Sequence, residues 1–536
     1  MNSRLKKPLS FFLVLLFVVI AWLGVGNLGT EVVEQKTLWE DLLETSSIRS
    51  MPASTVIVER PELALVAAPL SIYYEGDGEE DGCDEAHVEP LLVGNGEASS
   101  NFLSVYSANN TLFLGSGGSG DIVISGSNCE ISYMAAEMFW NHTTGVLIIT
   151  EDSLDIGIAL APLASYANIP IILAGSSDDA HISPLAGLGV EYSLVCGNAT
   201  GVGRVYRMED PISATRLVID YMVQRFGSVD YISVANTNDV DASHGLADMS
   251  LLAPFLSAGR RGVVVSSPIP LLPEINFEEE DGTNANPHTE MVKQNISACL
   301  NYMMQKGVYD AYAQETPFLA LHGGPYSIPF YYAPGPEGWE SVATDDYYAD
   351  LDGDYEIVDL ACGRPIALTV EGASALCSRA LCYDRYMCNW EADSRVTEAL
   401  GDEWDSTAYV AKGDDWNGAI WAMTPEYWDC MKYFHDNQYN VVTTKRHQTG
   451  GSVAQDRMRL YTSSSFIYVM AHGYPEGYQN FDMIHSSDVK EWGIVGPSSM
   501  ILTSCSAARI DVENVDETIS LTFMAVSYTH LRAHET

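Results

Sequence analysis

The chain has 536 residues, with 72 acidic against 27 basic side chains and a formal net charge of −45. That balance argues against a nucleic-acid partner, whose phosphates call for cations, and reads as a hydrated surface. A hydrophobic content of 47% argues against general disorder, and the length allows several domains with a large core.

Residues 1–26 open with Arg4, Lys6 and Lys7 and continue in an apolar run from Phe11 to Val25. This is the pattern of a secretory signal peptide or an uncleaved signal anchor. Either places the rest of the chain outside the cell or on its surface, and the anchor would also hold it to the membrane. Ten cysteines in that compartment suggest disulfides, with Cys377, Cys382 and Cys388 as the best local cluster. Asn109, Asn141, Asn198 and Asn295 sit in N-x-S/T sequons, which fit surface loops. Residues 27–55 are polar and acidic with little periodicity and read as a linker.

Residues 56–270 read as an α/β domain. Gly115-Ser116-Gly117-Gly118-Ser119-Gly120 matches a dinucleotide fingerprint by letter, but a strand-like run, Ile122-Val123-Ile124, follows it. Without a helix N-terminus to hold a pyrophosphate, it is a plain turn loop. An internal repeat follows. Val146–Thr150, a helix through Ala161-Pro162 and Ile169–Leu173 make one unit. Tyr231–Ala235, a helix through Ala253-Pro254 and Val263–Val265 make the second. Each is strand–helix–strand, hence a right-handed βαβ crossover in a parallel sheet. Tyr192–Gly197 adds a strand, and Ile212–Phe226 a helix. The repeat resembles the cell-wall-binding repeat type 2 of prokaryotic surface proteins, which implies attachment to a wall or cell-surface polymer. Small and apolar residues of this kind suit any βαβ unit, and a purely structural flanking domain is slightly the better reading.

Residues 268–290 read as an interdomain loop, and Gln294–Lys306 as a helix leading into the Phe318 strand. Leu321-His322-Gly323-Gly324 looks like a lipase oxyanion loop, but no G-x-S-x-G accompanies it, so His322 reads as structural. Asp350, Asp352 and Asp354 alternate around Gly353. Hard oxygen ligands at this spacing suit a structural calcium ion; a solvated acidic turn fits them about as well. Tyr409–Ala411 and Asn440–Thr443 read as strands, and Thr424-Pro425-Glu426 as a helix start.

Two apolar runs near the end carry the chemistry. Phe466–Met470 leads into Ala471-His472-Gly473, and Met500–Thr503 into Ser504-Cys505-Ser506. Both read as buried parallel strands, and residues just past such strands face the ligand crevice of an open α/β sheet. A thiol and an imidazole there suit acyl transfer, with N–H groups of Gly473 and Cys505 as the oxyanion hole. The bland reading is a buried cysteine and a hydrogen-bonded core histidine.

Strand–His–Gly followed by strand–Ser–Cys resembles the caspase-fold cysteine peptidases, most closely the gingipain family, peptidase family C25. Glu517–Met524 is similar to the helix after the family nucleophile. The upstream blocks Phe318–Leu321, Ile328-Pro329, Thr344–Asp354 and Gly363-Arg364 occur in the family's order. The resemblance covers residues 300–525. It implies a mostly parallel sheet with helices on both faces, and Cys505 and His472 as the catalytic dyad of an endopeptidase. It also implies support for the histidine or the substrate pocket from Asp414 or Asp415 and Glu426, and no required cofactor. The alternative is a non-catalytic surface or wall-binding protein with a peptidase-like fold. Val526–Thr536 reads as a translated sequencing adapter, which would leave the peptidase domain truncated.

Overall fold

The computed structural model describes residues 36–75, 85–175, 183–239, 246–270, 283–310, 316–334, 341–353, 358–392, 403–412, 424–443, 460–461, 463–480, 482–492, 498–503 and 517–523. The leader expected over residues 1–26 and the adapter-like tail at 526–536 lie outside these residues. Among the described residues no helix is long and apolar enough to cross a membrane.

Residues up to Glu44 form a unit of their own. It holds a short helix, α1 (Leu38–Leu43), started by a capping box. The Thr37 hydroxyl accepts from the Glu40 N–H, and the Glu40 carboxylate accepts from the Thr37 N–H at 2.7 Å.

Residues 45–536 form the second unit. Part of the stretch expected as a linker belongs to this fold. Strand β1 (Ser47–Arg49) pairs antiparallel with β8 (Trp140–Thr143). The reason is Arg49. Its guanidinium lies 3.9 Å from the Tyr73 ring and 4.5 Å from the Trp140 ring, and it donates to Asn168 Oδ1 and the Pro69 carbonyl. Burial pulls its pKa down to about 9, so the aromatic faces and carbonyl dipoles hold a cation that solvent does not.

Three sheets of identical strand order follow. The first runs β5 (Leu91–Val93), β2 (Thr55–Val58), β6 (Thr111–Leu114), β7 (Ile122–Ile124). The second runs β10 (Ile171–Ala174), β9 (Gly145–Thr150), β11 (Tyr192–Cys196), β12 (Arg204–Met208). The third runs β14 (Gly262–Ser266), β13 (Tyr231–Ala235), β15 (Phe318–His322), β18 (Cys362–Gly363). Every pairing in them is parallel. The βαβ units expected from the repeat are the second and third. The first copy, β2–α2–β5 with α2 at Leu63–Ser71, is new. The side pairs β3 (Ile72–Glu75) with β4 (Glu85–Val88) and β16 (Tyr331–Ala333) with β17 (Val342–Thr344) are antiparallel. The glycine-rich loop joins parallel strands β6 and β7, so it is not a hairpin turn. A Cβ on Gly118 would lie 2.1 Å from the Phe113 ring.

The helices after each first strand, α2, α5 (Leu154–Tyr166) and α7 (Ala253–Gly259), pack on one another. Each carries an Ala-Pro pair and is buried nearly all round, as a central helix must be. Tyr166 Oη donates to the carbonyls of Ser257 at 3.0 Å and Gly262 at 2.6 Å, and Tyr74 Oη to that of Ala258 at 2.7 Å.

The helix after each fourth strand crosses to the next sheet's edge. From the first sheet, α4 (Asn128–Phe139) presents the Ser132 hydroxyl to the Leu173 N–H of β10, 3.2 Å away. From the second, α6 (Pro211–Phe226) donates from Thr215 Oγ1 to the Val264 carbonyl of β14 at 2.8 Å. From the third, α10 (Val370–Leu381) accepts the Val93 N–H at Ser374 Oγ and the Leu91 N–H at Ser378 Oγ, 2.9 and 3.1 Å away. One edge strand of each sheet is thereby covered, and the three sheets close into a ring.

This ring crosses the interdomain loop expected at residues 268–290. Strand β15, expected in the peptidase sheet, completes the third ring sheet with β18 instead. The helix before β15, α8 (Asn286–Gln305), contacts α6 and β14. The expected disulfides are also absent among the described residues. None of the eight described cysteines is in a disulfide; Cys377 and Cys382 are buried and Cys388 is exposed. Of the sequons, Asn109, Asn141 and Asn198 are exposed, while Asn295 sits inside α8 and donates to the Ser267 hydroxyl.

A fourth sheet repeats the order again: β20 (Asn440–Thr443), β19 (Thr407–Lys412), β21 (Phe466–Met470), β25 (Ser499–Thr503), all parallel. It joins the ring through α3 (Glu97–Tyr106) and α11 (Tyr383–Ala392), which with α10 enclose Ile57, Phe102, Phe113, Tyr386 and Trp404 in one core. The Trp404 carbonyl accepts from the Ser465 N–H at 3.1 Å, where β21 begins.

Candidate active site

The fourth sheet brings together the strands that the sequence singles out. β21 and β25 are neighbours, and β19 flanks β21 on its other side. Lys412, Met470 and Thr503 stand in one row across the three strands. Asp414, His472 and Cys505 each fall two residues beyond a member of that row. The first strand connects to one side and the third lies on the other, so the switch in winding falls between β19 and β21. Open α/β sheets bind ligands at that place, past the carboxyl ends of the strands.

Cys505, Asp414 and Asp415 lie outside the described residues. His472 opens β22 (His472–Tyr474), which pairs with β23 (Gly477–Asn480), and β23 with β24 (Asp482–His485). His472 is in register with Gln479, and Gly473, which is buried, with Tyr478. Helix α13 (Ser486–Trp492) follows β24. Residues 519–523, after the cysteine, are helical and return to this hairpin. The Ile519 N–H donates to the Pro475 carbonyl at 2.8 Å. Ile519 and Phe523 share a core with Ile467, Val469, Tyr461 and Tyr478. Tyr461 and Tyr478 join their hydroxyls, and Tyr461 stacks on Phe523 with centroids 5.6 Å apart. The turn after the histidine strand and the helix after the cysteine strand are thus packed as one body.

Glu426 lies in α12 (Thr424–Asp436), the crossover between β19 and β20. That helix packs Phe434 against Ala408 and Val410 and exposes Trp428 and Tyr433.

Six other thiols are poor nucleophiles. Burial pushes Cys196, Cys299, Cys362, Cys377 and Cys382 up to about 12 and raises Cys430. His322 is fully buried, 3.3 Å from the Ser233 hydroxyl, and burial drops its pKa to about 3. A neutral, enclosed imidazole in the ring fits the structural role expected for it.

Of the three expected calcium ligands, Asp350 and Asp352, which follow the short helix α9 (Asp346–Ala349), come together, and Asp354 lies outside the described residues. The third partner is Asp359, which the spacing did not single out. Arg364 explains two of the upstream blocks. It pairs with Asp345 through two nitrogens at 2.5 and 3.0 Å and donates to the Gly323 and Ile328 carbonyls.

Residues 275–527 match the family model of peptidase family C25. The match takes in just under half of the chain. The gingipain resemblance and the caspase-like class of fold are thereby borne out. The family is one of peptidases. Among solved structures the chain is similar to one described as "Structure of Protease", at 18% identity and a TM-score of 0.37, covering 56% of this chain and 57% of that one. It is also similar to Cwp6 from Clostridium difficile, at 13% identity and a TM-score of 0.31, covering 68% of this chain and 46% of that one. This chain therefore spans about half the length of each. No curated protein matches it. The C25 match begins after β14, so the third ring sheet draws strands from both sides of its start.

Proposed function

We propose that the chain is an exported cysteine endopeptidase in which Cys505 attacks and His472 transfers protons. The supporting observation is the in-register row Lys412–Met470–Thr503, which sets the ends of β19, β21 and β25 side by side. The same count favours Asp414 over Asp415 as the carboxylate that orients the imidazole, with Glu426 left for the substrate pocket.

The Cys505 thiolate adds to the scissile carbonyl carbon, and the N–H groups of Gly473 and Cys505 hold the oxyanion. His472 protonates the departing amine as the C–N bond breaks, leaving a thioester. Water then adds to the thioester, giving a proton to His472. The C–S bond breaks, the acid leaves, and the thiol is restored. No cofactor enters any step. A free thiol has a pKa of about 8.5, so the imidazolium and backbone N–H groups must offset the acidic surroundings.

Export rests on the basic and apolar pattern of residues 1–25 and places the peptidase outside the cell or on its surface. Attachment of the ring to a cell-surface polymer belongs to the same reading.

The test is hydrolysis of a mixed peptide library by the full-length protein. Cys505→Ala should abolish it and His472→Ala should lower it by orders of magnitude. Iodoacetamide should label Cys505 with a midpoint below the free-thiol value. Unchanged hydrolysis in Cys505→Ala would hand the protein to the binding reading.

A further inference from the structure

An open cleft of about 310 Å³ lies between α6 and α8, where β14 ends. Its walls are mostly aliphatic, with Ile212 and Ile219 of α6, Val265 of β14 and Ala298 of α8 among them. Two polar groups interrupt that lining. The first is Ser266, which is 4% exposed. Its hydroxyl is buried with no hydrogen-bond partner among the described residues. Its backbone points to the same side. Ser267 donates its N–H to the Ala235 carbonyl of β13 at 2.8 Å, so the alternate residues Gly262, Val264 and Ser266 turn theirs to the open edge. Tyr166 Oη accepts the Gly262 N–H at 2.9 Å, and Thr215 Oγ1 donates to the Val264 carbonyl at 2.8 Å. Ser266 is next in that row and borders the cleft. A buried hydroxyl without a partner is costly, and it points to a ligand that brings one. The second group is Arg216, exposed at the rim, its guanidinium 5.1 Å from the Tyr302 ring. Asp210 is engaged elsewhere: as the cap of α6, its two carboxylate oxygens accept from the Ser213 N–H at 2.8 Å and the Ser213 hydroxyl at 2.7 Å.

We propose that this cleft binds the free carboxyl end of a peptide whose last side chain is aliphatic. An ionised carboxylate is costly to bury against one neutral hydroxyl, so the charge goes to Arg216 at the wet rim. The aliphatic side chain lies against Ile212, Ile219, Val265 and Ala298. The last amide meets Ser266, at its hydroxyl and at the open strand edge, as an added strand does. The volume is at the low end for ligand sites, which suits one terminal residue with its preceding amide. Peptide hydrolysis releases ends of this kind, but the cleft belongs to the ring and does not depend on the catalytic reading.

The probe is N-acetyl-leucine, titrated into the full chain by calorimetry. It should bind at one site with a Kd on the order of 1 mM or tighter. N-acetyl-leucinamide, which lacks the charge, should bind about tenfold more weakly. Arg216→Gln changes an exposed side chain, so it should fold as the parent does and bind acid and amide alike. Ala298→Leu should fill the cleft and abolish binding, with the Tm showing that the protein is folded. No saturable binding of N-acetyl-leucine at about ten times the expected Kd would overturn the site. Equal or tighter binding of the amide by the parent would overturn the choice of a carboxyl end. Undiminished binding in folded Ala298→Leu would mean that the probe sits elsewhere, and would overturn the location.

Discussion

The third ring sheet and the fourth sheet are wound alike, second–first–third–fourth, yet they are held in different ways. The third takes a helix from the second sheet and gives one to the first. The fourth keeps its own: residues 519–523 fold back onto the hairpin after β21. The ring sheets thus have edge strands covered by neighbours, whereas the fourth depends on its own hairpin and on Trp404. Winding alone does not make a site. In the third sheet the space past β13 and β15 is filled by protein. Asn236 donates to the carbonyls of Ile269 and Ser327, and Ser250 Oγ to that of His322. In the fourth sheet the corresponding strand ends carry Asp414, His472 and Cys505.

If the third sheet belongs to the ring, cutting the chain at the expected domain boundary should be fatal. A chain starting at residue 300 leaves β15 without β13, its neighbour from Tyr231 to Ala235. It should show no cooperative melt by circular dichroism, while a chain starting at residue 45 melts cooperatively. A sharp transition in the shorter chain would mean that the fourth sheet and its surroundings stand alone.

Trp404 tests the junction itself. Its side chain sits in the ring core and its carbonyl holds the start of β21. Trp404→Ala should cost about 3–5 kcal/mol in denaturant unfolding. It should also lower peptidase activity more than an equal loss placed at Phe255, which lies in the ring interior. Equal losses of activity would mean that the junction only adds stability.

Much of this was legible in the chain, and the rest was not for physical reasons. The strands around His472 and Cys505 are short apolar runs ended by turn residues, and their parallel pairing follows. The second and third ring units show as two Ala-Pro helices. The first was legible too: Pro69, Pro162 and Pro254 fall 93 and 92 residues apart. Its βαβ pattern is broken by the acidic stretch after Glu75, which hid it. Which sheet β15 joins was not legible, because periodicity reports a buried strand and not its neighbour. The hydroxyls of Ser132, Thr215 and Ser374 looked like ordinary helix residues until the edge strands they cover were in place. The cysteines suggested disulfides by compartment, but none of the described ones is in one. The candidate catalytic positions are singled out by motif; Asp359 is not, because its nearness to Asp350 shows only in the structure.

The hydroxyl clasps give a smaller effect. Ser374→Ala leaves the buried Val93 N–H of β5 without its acceptor. The expected loss is about 1–3 kcal/mol, the cost of an unsatisfied buried donor. Ser132→Ala should cost a similar amount at β10, and the two losses should add, because they lie at different corners of the ring. The double variant, measured by urea unfolding, checks both. A marked departure from additivity would mean that the ring responds as one cooperative body.

The smallest net effect comes from two buried groups of the third ring unit whose pH dependences oppose each other. Burial raises the Asp239 carboxyl to about 7, although it accepts from the Ser250 N–H at 3.2 Å. Its folded pKa lies above the unfolded value of about 3.9, so its contribution is full below about pH 4 and is lost as pH rises toward 7. Burial lowers His322 to about 3, below its unfolded value of about 6.5. Its contribution is full above about pH 6.5 and is lost as pH falls toward 3. Between about pH 4 and 6.5 the two slopes have opposite signs, each up to about 1.4 kcal/mol per pH unit, and largely cancel. Asp239→Asn removes one of them. The variant should therefore lose stability relative to the parent as pH is lowered from 6.5 to 4, in urea titrations at matched ionic strength. Surface carboxylates act on both proteins alike and drop out of the difference. Parallel stability curves for the two proteins would mean that Asp239 titrates as an ordinary carboxylate and that the polar fill of the third sheet is open to water.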